Sequence, residues 1–301
     1  MSSSVVDAKA TRAQWLEDRK SGIGGSDAAA ALGVDPWRDR LTLWSQKVGL
    51  IEADDLAGNE AVEAGIELER AIGEWYGKKF DRNVELNTPF TIRRHPEHSF
   101  MIATLDAIEH FEDGGFGVVQ IKNTSYPPEA WERELPMHYE IQLRHEMIVA
   151  GTTRGVLVAL HRGQNLRAYE RVLSDEDRDA LIEKEGEFWN LVQTETAPEA
   201  GPHSADTVKA LFPRAEIEDL TALMPEADDL DAELQEVKAK LTELDSRRET
   251  IESQLKFWIG THVGGLTPQG VKFSWKGSEV SYKPQPGRSA YVRRFTRSAK
   301  K

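Results

Sequence analysis

The chain has 301 residues, a formal net charge of −13 and no cysteine. This length is at the upper limit of what one hydrophobic core usually serves, so we expect one large domain or a domain with an appendage. The lack of cysteine excludes disulfides, thiol catalysis and cysteine-ligated metals. The negative charge argues against a protein that coats nucleic acid or anionic membranes non-specifically.

No run of apolar residues approaches the roughly 20 that a membrane helix requires. The first residues also lack the apolar region of a signal peptide. We therefore expect a cytoplasmic protein without a membrane partner.

The predicted elements of the first 196 residues mix helices and strands. Helical patterns at 27–33, 38–49 and 59–80 precede strand-like runs at 84–94, 100–109 and 116–123; a helix near 128–151, a strand at 154–161 and a helix from Ser174 to about Gln193 follow. This order predicts a mixed α/β fold.

The character of the chain changes after a run of Ala, Pro, Glu and Gly at 197–202. We predict a core over 1–196, a linker over 197–222, a long heptad helix over 223–260 and a basic aromatic segment over 261–301. Apolar residues from Leu223 to Trp258 recur at alternating spacings of four and three, which is a heptad pattern. Such a helix either lies back on its own domain or forms a helical hairpin or an oligomer contact.

The last thirty residues contain nine Lys and Arg but one Glu, so they carry +8 and residues 1–271 carry −21. Phe273, Trp275, Tyr282, Tyr291 and Phe295 lie between these charges. Cations interleaved with aromatic rings are typical of a surface that follows phosphates and stacks on bases. The alternative is a basic tail or terminal hairpin without DNA contact.

A polar constellation lies in the middle of the chain. The run 101–106 predicts a strand that ends in Asp106, and the run 117–122 predicts a neighbouring strand on which Gln120 and Lys122 share a face. Mg²⁺ can bind between Asp106, the side-chain oxygen of Gln120 and a backbone carbonyl, with Lys122 beside a nucleophilic water or a phosphate. Another carboxylate, Glu69, lies on the helix at 59–80.

The run Gly22-Ile23-Gly24-Gly25-Ser26-Asp27 predicts a loop that opens a helix, with Ser26 as its N-cap. Free backbone N–H groups at such a helix start can bind an anion or a phosphate. The run matches neither a Walker loop nor a dinucleotide-binding fingerprint.

Taken together, these segments resemble the YqaJ-type viral recombinases, the phage lambda exonuclease-like branch of the PD-(D/E)XK nucleases. The resemblance spans roughly 15–165. It rests on segments that follow the family's order: Arg19 with the run 22–29, Pro36-Trp37, Leu43-Trp44, the helix 65–72 with Glu69, the Asp106 strand, the run 120–122, Trp131, and Tyr139-x-x-Gln142 followed by Met147.

The resemblance implies an α/β restriction-endonuclease-like core, with a mixed central sheet flanked by helices, and a C-terminal helical or coiled-coil extension. It implies a nuclease of phage DNA recombination and repair that uses Mg²⁺, with Mn²⁺ as an alternative. Such an enzyme degrades one strand of duplex DNA from a 5′-phosphate end and leaves a 3′ overhang for a single-strand annealing protein. A homo-oligomer, specifically a trimeric ring, and a phage or prophage origin in a bacterial host are also expected.

The resemblance also assigns roles to residues. Asp106, position 120 and the Ile121 carbonyl would hold the metal, and Glu69 would support it. Lys122 would orient the nucleophile. Arg19, Ser26 and Thr104 would hold the 5′-phosphate, and Gln142 and Tyr139 would support the core. Arg144 is expected in the cleft, and Trp37 with Arg38 can line a DNA path.

One residue departs from the family, which has Glu at position 120 where this sequence has Gln. An amide oxygen can ligate a metal but brings no charge, so we expect activity to be weakened or lost. Three explanations remain: an inactivating change introduced to trap a complex, a natural variant with a compensating carboxylate such as Glu69, or a DNA-end-binding recombination scaffold without catalysis. We favour the first, because Glu→Gln preserves shape while removing charge.

Overall fold

The structure is a computed structural model that describes residues 12–53, 58–215, 217 and 219–276. Its internal contacts divide the chain into two units, Met1–Pro213 and Arg214–Lys301. The described helices of the first unit are α1 (Arg12–Asp18), α2 (Gly25–Ala31), α3 (Arg40–Lys47), α4 (Glu60–Phe80), α5 (Glu129–Glu132), α6 (Met137–Ala150), α7 (Asp175–Gln193) and α8 (Ala205–Leu211).

A five-stranded sheet forms the centre of the first unit, with the strand order β1-β4-β5-β6-β7. Its strands are β1 (Asn83–Leu86), β4 (Ala107–His110), β5 (Phe116–Thr124), β6 (Arg154–His161) and β7 (Asn165–Val172). β5 and β6 are parallel, and the other neighbouring pairs are antiparallel. A separate two-stranded sheet joins β2 (Arg93–Arg94) to β3 (Ile102–Ala103). The mixed sheet with flanking helices confirms the predicted fold class.

Two apolar cores cover the two faces of the central sheet. On one face, Val118 and Leu157 pack with residues of α2, α3, α6 and α7. On the other face, Val119, Val156 and Val158 pack against Ile72 and Tyr76 of α4. β5 and β6 read as nearly continuous apolar runs because both of their faces are buried. Gln120 lies on the α6 face of β5, where an uninterrupted core would have an apolar residue.

The helix boundaries follow local capping chemistry. The Ser174 side chain accepts a hydrogen bond from the Asp177 backbone N–H, which confirms the predicted start of α7. Asn59 caps α4 in the same way. The helix predicted near 128–151 is divided in the structure, because Pro136 precedes α6 and lacks the backbone N–H that a continuing helix needs.

Two strand predictions differ from the structure. The run 100–109 is divided into β3 and β4, which belong to different sheets. β7 was not predicted at all, although it pairs with β6 along its whole length. Alternation of buried and exposed residues is weak in β7, because its residues are mostly half-buried at the edge of the sheet.

The segment 197–222, predicted as a linker, contains helix α8 in the structure. Ser204, just before α8, donates a hydrogen bond to the Asp39 carboxylate, and the hydroxyls of Thr42 and Thr207 lie 2.7 Å apart. These contacts attach α8 to α3. The division between the two units lies after α8, between Pro213 and Arg214.

The second unit contains helix α9 (Ala227–Ile259) and a hairpin of β8 (Gly264–Leu266) and β9 (Lys272–Ser274). Several apolar side chains of the heptad pattern are exposed, including Leu230, Leu241 and Leu244. Residues 277–301, which carry most of the predicted basic aromatic segment, lie outside the described residues. None of the described helices is long and apolar enough to cross a membrane.

Candidate active site

Asp106 lies beside the middle of β5 and holds it through two hydrogen bonds. Its Oδ2 accepts one from the Gln120 side-chain amide at 2.5 Å and one from the Ile121 backbone N–H at 2.7 Å. The prediction that Asp106 ends a strand was wrong, because Asp106 directly precedes β4. At this point the Asp106 side chain takes the Ile121 N–H that a strand carbonyl would otherwise accept.

Helix α6 adds a second layer of polar groups to this face of β5. The Gln142 amide nitrogen donates to Gln120 Oε1 at 3.1 Å and to Glu146 Oε1 at 3.0 Å. Asp106, Gln120, Gln142 and Glu146 therefore form one continuous hydrogen-bonded chain. The structure thus brings Gln142, predicted to support the core and grouped with the DNA-binding residues, into contact with Gln120, predicted with Asp106 as a metal ligand.

Glu146 was not predicted as a site residue. Its side chain is buried, with 2% of the residue exposed, and its Oε2 has no hydrogen-bond partner in the part of the chain that the structure describes. A sequence signal did exist, because Gln142 and Glu146 are four residues apart in a predicted helix and therefore share a face. Burial of a carboxylate beside other carboxylates is a tertiary property that this spacing does not reveal.

Three carboxyl groups, Glu69, Asp106 and Glu146, form what we call the carboxylate cluster. Burial and the nearby Asp106 charge raise the pKa of Glu69 to about 7 and that of Glu146 to about 8. Burial also raises the pKa of Asp106. Lys122 opposes the rise in all three. The raised pKa values show that Lys122 alone does not compensate three carboxylates at this place, so a bound cation would favour their ionised forms.

Lys122 extends from the same face of β5 as Gln120. Its Nζ lies 5.1 Å from the centre of the Tyr139 ring, within the range of a cation–π contact. The Tyr139 ring in turn packs against Trp131, at 5.5 Å between ring centres. Tyr139 therefore supports the position of Lys122 beside the carboxylate cluster.

The Asp106 carboxylate is a suitable ligand for a hard divalent cation, but the Gln120 side chain directs its amide nitrogen at Asp106 and its oxygen at Gln142. The Gln120 amide must therefore turn over for its oxygen to bind a cation held by Asp106. Among the described residues, no three His, Asp or Glu side chains converge closely enough to hold a metal by themselves. A cation at Asp106 must therefore take further oxygens from Gln120, a backbone carbonyl such as that of Ile121, or water. Mg²⁺ is commonly bound in this way, by one or two carboxylates with several waters. The partnerless carboxylate oxygen of Glu146 supports the same fit.

A basic pocket surrounds Asp27; it consists of Arg19, Ser26, Arg38 and Lys47. Arg38 and Lys47 each lie 2.8 Å from an Asp27 carboxylate oxygen, and Arg19 lies 3.7 Å away. Arg19 also donates to the Ser26 hydroxyl at 2.6 Å. Three cations share one carboxylate, so the pocket keeps a net positive charge.

The three cations of the basic pocket lower the pKa of Asp27. Burial opposes ionisation of this carboxyl, but Lys47, Arg38 and Arg19 hold its pKa well below the usual range. Asp27 and Lys47 were not predicted as site residues. Lys47 is 20 residues from Asp27 in sequence, and only the packing of α2 against α3 brings them together.

Thr104, the third residue with a predicted phosphate role, is linked to the pocket through Trp15. The Trp15 ring nitrogen donates to the Thr104 hydroxyl at 2.9 Å, and the Arg19 guanidinium lies 4.7 Å from the centre of the Trp15 ring. Trp15 was not predicted. The structure thus connects Arg19, Ser26 and Thr104 into one region.

The prediction that Ser26 caps a helix was wrong. α2 begins at Gly25 with Gly24 as its N-cap, and the Asp27 carboxylate accepts the Gly24 N–H at 3.2 Å. Because Asp27 fulfils the capping role, the Ser26 hydroxyl is free to contact Arg19. A side chain at Gly25 would place its Cβ 2.5 Å from Glu146 Oε1, so glycine is what lets α2 approach the buried carboxylate.

This contact makes the basic pocket and the carboxylate cluster direct neighbours. Gly25 precedes Ser26 of the pocket and touches Glu146 of the cluster. Thr104 lies two residues before Asp106 in the chain. A region that can hold phosphate oxygens thus adjoins one that can hold a cation.

Of the remaining predicted DNA-binding residues, some lie near the site and one does not. Trp37 is 69% exposed and contacts the His138 ring edge-on at 4.8 Å. Arg38 belongs to the basic pocket. Arg144 forms ion pairs with Glu140 and Asp177 instead of with the carboxylate cluster. It is two residues from Gln142, and residues two apart do not share a helix face.

Comparisons with known proteins agree with this architecture. The YqaJ-like viral recombinase domain family matches residues 14–153. The uncharacterized protein YqaJ of Bacillus subtilis (strain 168) is 29% identical over 262 residues, which cover 83% of this chain and 79% of that protein.

Among solved structures, the alkaline exonuclease LHK-Exo of Laribacter hongkongensis is similar at a TM-score of 0.51 and 15% identity, covering 61% of this chain and 93% of that one. Its complex with dAMP gives a TM-score of 0.50. The likeness shows that this chain and LHK-Exo share a fold. By sequence, residues 14–153 of this chain are similar to the YqaJ-like viral recombinase domain family.

Proposed function

We propose that the protein is a metal-dependent exonuclease that degrades one strand of duplex DNA from its 5′ end and leaves a 3′ overhang. The observation that carries this proposal is the close packing of Gly25, the residue before Ser26 of the basic pocket, against Glu146 of the carboxylate cluster. Phosphodiester hydrolysis needs a cation beside the scissile phosphate and positive groups that hold the neighbouring phosphate. The match to the YqaJ-like family and the alkaline exonuclease named above support the same activity.

In this proposal, Asp106, Gln120 and the Ile121 carbonyl hold Mg²⁺ or Mn²⁺, and Glu69 supports it. When bound, the cation lowers the pKa of a water and neutralises charge on the phosphate. Lys122, held against Tyr139, orients the attacking water and stabilises the charge that develops on the phosphate oxygens. Gln142 keeps Gln120 in place through its amide hydrogen bond.

The basic pocket accounts for the proposed direction of degradation. Arg19, Ser26 and Thr104 would bind a terminal 5′-phosphate, whose two negative charges suit a pocket in which three cations face one carboxylate. A 5′-phosphate held there would set the register of the scissile bond at the neighbouring cluster. The exposed Trp37 and the adjacent Arg38 would line the path of the DNA.

We further propose that the overhang is passed to a single-strand annealing protein in DNA recombination and repair. A homo-oligomer, specifically a trimeric ring around the DNA, would keep the enzyme on its substrate. Because phage and bacterial DNA lies in the cytoplasm, the proposed substrate places the protein there, and the family match is consistent with a phage or prophage origin.

A second candidate function is that of a DNA-end-binding scaffold without catalysis. It is favoured by one observation, the neutral Gln120 whose amide donates a hydrogen bond to Asp106. In that case the basic pocket would hold ends, and the carboxylate cluster would not support hydrolysis. Binding would then weaken with salt as phosphate contacts are screened.

A nuclease assay distinguishes the two functions. Linear duplex DNA with 5′-phosphate ends is incubated with the wild-type protein, Asp106→Asn and Gln120→Glu over a range of Mg²⁺ and Mn²⁺ concentrations. We expect the wild type to degrade DNA more slowly than Gln120→Glu, because the neutral Gln120 weakens the metal site. Asp106→Asn should lose at least about 100-fold in rate relative to the wild type, because the central metal-binding oxygen loses its charge.

End binding measured in parallel serves as the control, since Asp106→Asn leaves the basic pocket intact. If the wild type and Gln120→Glu both bind ends but neither degrades DNA at any metal concentration, the protein is a scaffold and the nuclease proposal is wrong.

A further inference from the structure

Glu146 is a buried carboxylate whose two oxygens are not both hydrogen-bonded within the described residues. Its Oε1 accepts one hydrogen bond from Gln142, while Oε2 has no hydrogen-bond partner among the described residues, although both oxygens are enclosed by protein. A carboxyl group in such a place is kept neutral by a proton unless a positive charge compensates its ionised form. The unpartnered, enclosed Oε2 therefore offers a place where a cation can replace the proton.

The cations of the described residues do not fill this role. Lys122 attracts the Glu146 charge, but it also attracts Asp106 and Glu69. The charge of the neighbouring His145 lowers the pKa of Glu146, but its two ring nitrogens lie 2.8 Å from Glu185 Oε1 and from the Ile102 carbonyl oxygen, so His145 makes its hydrogen bonds elsewhere. The cations of the basic pocket form ion pairs with Asp27.

The surrounding backbone is arranged around the Glu146 side chain. A Cβ at Gly25 would overlap Oε1 and would lie 3.0 Å from Cγ of Glu146, so the space exists only because residue 25 is glycine. The two His145 contacts fix α6 to β3 and α7 and so fix the position of Glu146. Glu146 is therefore held in place with the Gln142 amide between it and Gln120, close enough to Asp106 for the two charges to interact.

The missing charge at position 120 gives the Glu146 carboxylate a role at the metal site. Gln120 is neutral, so Asp106 is the one charged group among the three ligands assigned to the cation. The Gln142 amide bridges Gln120 Oε1 and Glu146 Oε1, which places the carboxylate of Glu146 one hydrogen-bonding group away from position 120.

We propose that Glu146 supplies the negative charge that Gln120 lacks, and that Asp106 and Glu146 together hold the divalent cation. This inference rests on the proposed metal-dependent function. It makes Gln120 part of a native arrangement in which the second carboxylate comes from helix α6 instead of strand β5. Among the three explanations for Gln120, it corresponds to the compensating carboxylate, with Glu146 in the place considered for Glu69.

The test is titration calorimetry of Mn²⁺ binding to the full chain without DNA. We expect Glu146→Gln to weaken Mn²⁺ binding about 10- to 100-fold, the range found when a residue that supports a metal site is removed. In Gln120→Glu/Glu146→Gln, which returns the carboxylate to the strand, affinity should recover to within about threefold of the wild type. Glu140→Gln is the matched control on the same helix, because Glu140 pairs with Arg144 and Arg171 and should leave Mn²⁺ affinity unchanged.

The outcomes separate this inference from the proposed function. If the wild type binds Mn²⁺ and Glu146→Gln binds it equally well, Glu146 has no role at the cation and the inference is wrong while the function stands. If the wild type binds no Mn²⁺, the metal-dependent function fails as well. A thermal melt of each variant confirms that the folded protein is compared, and the recovery by the double variant excludes a purely structural effect of Glu146→Gln.

Discussion

At the scale of single residues, Asp27 determines whether the basic pocket can exist. It is 3% exposed and faces three cations, one of which, Lys47, is also buried. Without this carboxylate, the positive groups would repel one another in a region where water cannot screen them. Asp27 thus serves the pocket by holding its cations together while leaving a positive excess for a phosphate.

Asp27→Asn should destabilise the protein by about 3–5 kcal/mol at neutral pH, because it leaves buried positive charge without its partner. The pKa of Asp27 is lower in the folded protein than in the unfolded chain, so its contribution is complete above about pH 4 and is lost as pH falls through the folded-state pKa. Denaturant unfolding at several pH values measures this difference. A wild-type and variant difference that stays constant down to pH 2 would contradict the role given to Asp27.

Arg19→Lys keeps the charge of the pocket but removes the planar fork that contacts Ser26 and Asp27. We expect the preference for 5′-phosphate over 5′-hydroxyl ends to fall about tenfold, since a lysine cannot make the same paired hydrogen bonds to a phosphate. Initial degradation rates on the two kinds of end measure the preference. Arg82→Lys, in an ion pair with Glu109 and Glu170, is the control, and an unchanged preference in Arg19→Lys would exclude Arg19 from phosphate binding.

The sequence was informative about site residues that lie near one another along a strand or that carry a known motif. Asp106, Gln120 and Gln142, which the motifs of the sequence singled out, lie in one hydrogen-bonded chain. Asp27, Lys47, Trp15 and Glu146 were missed because their roles depend on contacts between elements. Burial of an ionisable group cannot be deduced from its identity, since Glu and Lys are usually exposed.

At the scale of elements, the packing of α2 against α6 controls how the two halves of the site meet. Gly25 allows this approach, and the buried His145 holds α6 in position. A change at this contact therefore affects both the basic pocket and the carboxylate cluster.

Gly25→Ala tests this contact. The new Cβ would lie 2.5 Å from Glu146 Oε1, so Glu146 or α2 must move, and we expect a loss of about 1–3 kcal/mol in stability. Gly65→Ala is the control, because Gly65 is within α4 with no atom within 4 Å of the new Cβ, and there alanine should stabilise by about 0.5–1 kcal/mol. Thermal melts of both variants provide the comparison, and an equally stable Gly25→Ala would show that the close approach does not constrain the fold.

Elements with strong local signals were predicted well, and those set by tertiary pairing were not. α7 was located by its Ser174 cap, and β6 by its apolar run, at the same residues as in the structure. The division of 100–109 into two strands was missed because the hydrogen bond from Ile121 to the Asp106 side chain joins distant parts of the chain. The residues around Asp106 in the sequence do not indicate that its side chain binds the Ile121 N–H.

At the scale of the whole molecule, the first unit contains the complete central sheet, both apolar cores and both halves of the site. Residues 1–213 alone should therefore unfold cooperatively in a thermal melt. The fragment lacks the nine Lys and Arg of the last thirty residues, so its DNA binding should be weaker and depend less steeply on salt. A fragment that fails to fold, or one with an unchanged salt dependence, would contradict these respective expectations.

The distribution of charge reconciles an acidic chain with a DNA substrate. The net charge of −13 divides into −21 on residues 1–271 and +8 on the last thirty. Within the acidic part, the basic pocket concentrates three cations around one carboxylate. Contact with DNA thus depends on a few local cations rather than on net charge, which favours recognition of an end over coating of the duplex.

The most direct test of the central claim is a strand-resolved time course on linear duplex DNA with 5′-phosphate ends in the presence of Mg²⁺ or Mn²⁺. Each strand is labelled separately at its 3′ end, and Asp106→Asn serves as the inactive control. The account predicts progressive shortening of each strand from its 5′ end, release of nucleotides and survival of the 3′-terminal label on long single strands. Cleavage that begins at the 3′ ends, or no cleavage by the wild-type protein at any metal concentration, would contradict it.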